Sequence, residues 1–115
     1  MQRDTRAYLS DVIEACEAIE QALAGMDLAS YSANRLVRSA VEREFIIVGE
    51  AMAVLSRLSP ELFARITHAR RIVDFRNQLT HQYSEVDDTA VWLTARHDAP
   101  VRHDECAGLL KEPVA

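Results

Sequence analysis

Between residues 33 and 58 the apolar side chains Leu36, Val37, Ala40, Val41, Phe45, Ile47, Val48, Ala51, Met52 and Leu55 fall in singles and pairs spaced about one helical turn apart. That spacing returns once per helical turn. It predicts an amphipathic helix over 33–58 and argues against a strand, whose side chains alternate every second residue. The apolar face is wide, and a face of that width contacts more than one neighbour, inside the fold or across a dimer. Upstream, Ala7, Val12, Cys16, Ile19 and Leu23 give a second stripe. They predict a first helix over 4–24, closed by Gly25 at the position just past its end. The stretch "MDLASYSAN" between the two reads as a connector, with Ser30, Ser32 and Asn34 as candidate N-caps.

Downstream, Ser59-Pro60 is a cap followed by proline at the first helical position, which starts a new helix. The pattern predicts a short helix to about Ile66, a break near Thr67 that no Gly or Pro marks, and a helix over 68–83. "SEVDD" is a connector in which Asp87 or Asp88 caps the next helix. That helix carries Val91, Trp92 and Ala95 and meets Pro100, where it must kink or restart. Cys106, Leu109 and Leu110 make a weak final stripe, and "KEPVA" reads as a frayed tail.

With three Gly and three Pro in 115 residues, little in the chain interrupts helices. The expected fold class is all-α: an antiparallel four-helix bundle with a short extra helix, forming one domain over 1–115 with about 111–115 frayed.

The formal net charge of −5 argues against a general coat for DNA or RNA, and no DNA partner is expected. Two scattered cysteines, Cys16 and Cys106, suit a reducing compartment better than a disulfide framework. "QRDTRAYLSD" has no apolar core of a signal peptide, and the apolar stretch 45–58 is too short and too charged to span a bilayer. These features predict a cytoplasmic protein without a membrane partner.

The segment "RNQLTHQY", residues 76–83, concentrates chemistry. At about 100° per residue, Asp74, Asn77 and His81 form one polar stripe, and Ile72, Phe75 and Leu79 an apolar stripe on another side. Arg76 lies about 140° from His81, so the two do not share a face. Tyr83 falls nearly opposite His81 in a continuous helix, and swings back if the helix ends near Gln82. From Arg65 to Arg76 there are four arginines and His68 against Asp74 alone. Two readings of this segment are open. It is a phosphate-binding site, or a solvated face with Arg76 lying along the core and Tyr83 packing at a helix end.

The segment resembles the arginine–polar–three variable–histidine–variable–tyrosine signature of HepT-like proteins, toxins of the HEPN superfamily. "DVIEACEAIE" with "GMD", "AVEREFIIVGEAMAVLS" with "SPEL", and "HQYSEVDDTAVW" resemble other parts of that family, together covering roughly the first 95 residues. "FARITHARRIV" lacks the family's usual proline–tryptophan segment, and the last twenty residues match poorly. The resemblance implies a HEPN-like helical bundle forming a homodimer, and metal-independent cleavage of RNA with no cofactor. It implies Arg76 and His81 as catalytic residues with Asn77 supporting them. It also implies a toxin–antitoxin pair in which an MntA-like nucleotidyltransferase antitoxin attaches AMP to Tyr83.

The alternatives from other classes are a non-catalytic helical protein that binds a nucleotidyltransferase and a purely structural helical dimer. His103 and Cys106, at i and i+3, are too few to hold a metal. Glu85, Asp87 and Asp88 are read as caps rather than cation ligands. Glu50, inside an apolar run, is either a buried carboxylate holding Arg76 or Arg43, or an exposed edge residue.

Overall fold

The structure, a computed structural model, describes residues 3–113 apart from the side chain of Tyr83. The described residues are all-α, with no strand among them. Helix α1 spans Thr5–Leu23, α2 Leu28–Ala33, α3 Arg35–Leu58, α4 Pro60–Ala64, α5 Ala69–His81, α6 Asp88–Leu93 and α7 Ala99–Leu110. A 3-10 turn, Tyr83–Glu85, joins α5 to α6, and a π turn, Thr94–Asp98, joins α6 to α7.

The boundaries have local causes. The Asp4 carboxylate accepts from the Arg6 amide to open α1, and Gly25 follows its end in the left-handed region at φ 76°. The expected connector "MDLASYSAN" is instead mostly helical. Asp27 accepts from the Ser30 amide at 2.8 Å while the Ser30 hydroxyl accepts from the Asp27 amide at 3.0 Å, a reciprocal cap for α2. Those hydrogen bonds hold the Asp27 carboxyl below its ordinary pKa. Asn34 caps α3 through the Val37 amide, Ser59 caps α4, and Asp87 caps α6.

The break between α4 and α5 is made by His68, which adopts φ 54°, ψ 31°. Glycine usually takes this left-handed conformation, but here a histidine holds it, so no glycine flags the break in the sequence. Pro100 does not stop its helix. The chain widens into the π turn, where the Ala99 amide donates to the Thr94 carbonyl, and continues into α7. One wide turn absorbs the amide that proline lacks and the clash its ring would make.

Helices α1 and α3 lie at the centre, packed on each other, with α7 on α1 and α5 on α3. Tyr8 and Asp11 lie by Glu50 and Ala51, and Ala15 by Glu44 and Ile47, so α1 and α3 run in opposite directions. The core is built from Leu9, Val12, Cys16 and Ile19 of α1, Val41, Phe45, Val48, Met52 and Leu55 of α3, and Ile72, Val91 and Cys106. Each fully buried aliphatic side chain contributes roughly 1.5–3 kcal/mol. Most of the wide face of α3 is thus consumed inside the chain. Its start is not: Leu36 is 83% exposed, and Ala40 is exposed too.

Tyr31 is fully buried and packs its ring 5.5 Å from that of Trp92. Cys16 and Cys106 are free and buried, and burial pushes both thiols up to about 12. The segment expected to fray is partly tied down, because the Glu112 carboxylate accepts from Arg65 of the α4–α5 connector at 2.9 Å. Val114 and Ala115, the end of that segment, lie outside the described residues. Among the described residues no helix is long and apolar enough to cross a membrane.

Candidate active site

Helix α5 carries the candidate residues. Its buried edge is Ala69, Ile72, Val73 and Leu79, and Phe75 meets Phe45 of α3 edge-on at 5.3 Å between ring centroids. That packing leaves Asp74, Asn77 and His81 exposed, as the polar stripe in the sequence predicts. His81 is the last residue of α5. Gln82 follows as its C-cap, its amide donating to the Gln78 carbonyl at 2.9 Å. The Thr80 hydroxyl bonds back to the carbonyls of Arg76 and Asn77 at 3.1 and 3.2 Å and keeps this last turn closed.

Arg76 is placed differently from its neighbours. It is half-buried, with its stem against Gly49 of α3 and its Nε buried without a hydrogen-bond partner. No described carboxylate forms an ion pair with its guanidinium. The Tyr83 side chain, the expected point of modification, lies outside the described residues, whereas its backbone opens the 3-10 turn directly after Gln82. The α-helix therefore stops short of Tyr83, as the connector in the sequence suggests.

The basic stretch before the motif is largely engaged elsewhere. Arg65 is paired with Glu112, and Arg70 lies over the Phe63 ring at 5.2 Å. Arg71 borders a shallow hollow together with Asp74 and Asp98. Glu50 is exposed, and no described ion pair joins it to Arg76 or Arg43. The exposed-edge reading holds for it and the buried one fails, because the helix turns its side chain past the α1 contact into solvent. His103 bonds Glu17 of α1 at 3.1 Å and Asp104 at 3.2 Å, which raises its pKa above 6.5, while Cys106 is sunk in the core.

Two features near the motif are not legible in a single-helix pattern. One is Gly49, whose missing side chain makes room for Arg76. A lone glycine within a long run of good helix formers is the sequence signal for such close approach. The other is a polar clip on α7. Arg102 is 3% exposed and donates from Nε to Glu105 at 3.1 Å, and the same carboxylate accepts from the amide and hydroxyl of Thr67, next to His68. The clip fixes the connector that leads into α5. A hollow of about 660 Å³ between α1 and the α6–α7 junction is lined by residues such as Cys16, Glu20, Arg96 and His103 and includes no motif residue.

Chemically, the exposed end of α5 offers an imidazole, a carboxamide and, one turn back, a partly desolvated guanidinium. Residues 12–107 match the family described as Ribonuclease HepT-like. A Thermococcus cleftensis protein named as a ribonuclease HepT is 31% identical over 104 residues, covering 87% of this chain and 90% of its own. Two Methanocaldococcus jannaschii proteins named as RNases are each 28% identical over 111 residues, covering 96% of this chain and 91% and 95% of theirs. No solved structure matches. The match spans most of the chain, so the chain belongs to the HepT-like ribonuclease family.

Proposed function

We propose that this ribonuclease is the toxin of a toxin–antitoxin pair, acting as one helical domain over 1–115. In this reading it cleaves RNA without a metal through Arg76 and His81, supported by Asn77. An MntA-like nucleotidyltransferase antitoxin neutralises it by attaching AMP to Tyr83. The observation that carries the catalytic part is the contrast within α5. Arg76 is held half-buried with its Nε out of water, while His81 and Asn77 stand exposed at the helix end.

In metal-independent cleavage the RNA 2′-oxygen attacks the adjacent phosphorus as the 5′-oxygen leaves, producing a 2′,3′-cyclic phosphate. A histidine takes the 2′-OH proton, and the leaving oxygen needs a proton in return. A guanidinium stabilises the negative charge that builds on the phosphorane. One His81 serves one of the two proton transfers, so a homodimer that brings a second His81 into the same cleft completes the chemistry. As the acceptor of AMP, Tyr83 is favoured over Tyr31, which is fully buried in the core.

The test combines cleavage and mass measurements. Arg76→Ala and His81→Ala should each abolish cleavage of RNA with the fold intact, and activity should survive EDTA. Co-expression with the nucleotidyltransferase should add AMP to the wild type and not to Tyr83→Phe. Full activity in either alanine variant refutes the catalytic assignment. Binding of the nucleotidyltransferase by a protein that never cleaves RNA favours the interaction-protein reading instead.

A further inference from the structure

Helix α3 has a single glycine, Gly49, and it is buried in the middle of the helix. Its φ is not positive, so backbone freedom does not explain it. A mid-helix glycine is a loss relative to alanine unless its missing side chain is needed. Here it is needed. A Cβ at position 49 would lie 2.2 Å from the Arg76 Cβ, 2.7 Å from its Cγ and 3.2 Å from the Ile72 carbonyl oxygen. Ordinary contact begins at 3.4 Å. The nearest obstacle is a Cβ fixed to the backbone of α5, so no rotamer change at Arg76 relieves it. Only separation of α3 from α5 does.

We propose that Gly49 is a positioning residue of the ribonuclease site. It sets the depth at which the Arg76 stem lies in the α3–α5 groove, and so the direction in which the guanidinium leaves that groove. The proposal rests on the reading of Arg76 as catalytic. A second observation agrees with it. The Arg76 Nε is buried and unpaired, an unfavourable placement that deep seating imposes. With the first nitrogen of the planar group held out of water, the other two have a restricted range of directions. A guanidinium with a fixed direction meets phosphorane charge without reorganising, and that is how such a group accelerates the reaction. Moving the seat by about an ångström is enough to lose about 100-fold in rate.

The experiment measures kcat, KM and thermal unfolding for Gly49→Ala, Arg76→Gly and the double variant, each as the full chain. Gly49→Ala should lower kcat about 100-fold with little change in KM. Arg76→Gly removes the Cβ and Cγ that the introduced methyl group would strike. In that background, where only the Ile72 carbonyl oxygen at 3.2 Å still crowds the methyl group, the alanine should lower the melting temperature far less than it does in the wild type. Wild-type kcat in Gly49→Ala overturns the proposal. So does an undiminished effect of the alanine in the Arg76→Gly background, which would mean that Gly49 serves packing elsewhere. Should Gly49→Ala fail to fold, the double variant decides: folding like Arg76→Gly supports the seat, and failing to fold overturns it. Wild-type cleavage by Arg76→Gly removes the catalytic reading of Arg76 itself, a result distinct from any failure of Gly49 alone.

Discussion

Replacing Glu105 by alanine should destabilise the fold more than replacing the arginine that it pairs with. Arg102 is 3% exposed, and its Nε donates to Glu105 at 3.1 Å while its NH1 is buried without a partner. Removing the carboxylate leaves a buried cation uncompensated, which costs about 3–5 kcal/mol. The low end applies, because the Glu105 side chain is 24% exposed and water reaches part of the site. Loss of the bonds to Thr67 adds little, since Thr67 is exposed and regains water. Arg102→Met removes the charge together with its need for a partner, keeps most of the volume, and deletes an NH1 that is already unsatisfied. That change should be neutral or stabilising. Urea unfolding measures both. With a denaturant slope of about 1.5 kcal/mol per molar, a loss of about 3 kcal/mol lowers the midpoint by about 2 M. If Arg102→Met lowers the midpoint as far as Glu105→Ala does, the charge is a net stabiliser and the reasoning fails.

The other predictions concern the helix break and the α1–α7 contact. His68 occupies the left-handed region, so His68→Gly should stabilise the fold by about 1 kcal/mol and raise the melting temperature by roughly 4 °C; an unchanged or lowered value would mean that the side chain is needed there. Glu17 and Asp104 raise the His103 pKa above 6.5, so the fold prefers the imidazolium. Its contribution is complete below the unfolded value and is lost as pH rises through the folded one. Melting temperatures of wild type and His103→Gln should therefore differ more at about pH 6 than at about pH 8, and a difference that grows with pH would contradict the assignment.

Much of the fold can be read from apolar spacing, because α1, α3 and the buried edge of α5 each repeat their contacts once per turn. The ends of α5 are only half-written. Gln82 ends it where the polar connector begins, but its start depends on His68 accepting a conformation that glycine usually takes. Helix α2 escapes the periodic reading because six residues hold less than two turns of pattern, although Asp27 and Ser30 carry its cap. Pro100 is a true signal with a different outcome, since the π turn lets the helix continue. Glu50 misleads because its neighbours Gly49 and Ala51 are both buried, while its own direction faces water. Arg102 is missed for the opposite reason: a lone arginine at helical spacing gives no sign of burial until Glu105 and Thr67 are brought beside it by the tertiary fold. The candidate site residues are legible as a motif, but the seat of Arg76 is not, because Gly49 lies on another helix.

The charge around α5 bears on how such a protein could engage RNA at all. The run from Arg65 to Arg76 looks basic in sequence, yet Glu112 takes Arg65, Phe63 covers one face of Arg70, and Asp74 and Asp98 stand near Arg71. Arg70, Arg71 and Arg76 are in no described ion pair, and the stem of Arg76 is held by α3. In a chain of net charge −5, so few groups cannot supply the broad electrostatic attraction that carries non-specific binding to nucleic acid. On the proposed reading the use of Arg76 lies in position rather than in number: a forked donor set in a fixed direction is suited to recognise one phosphate bidentately. On the proposed reading this favours cleavage at a few sites over general degradation. It also makes a second copy valuable twice, because it adds a second guanidinium to the same phosphate group and a second imidazole for the other proton. Helix α5 is suited to that arrangement, since its buried edge is fully used against α3 while Asn77 and His81 are left exposed at its end.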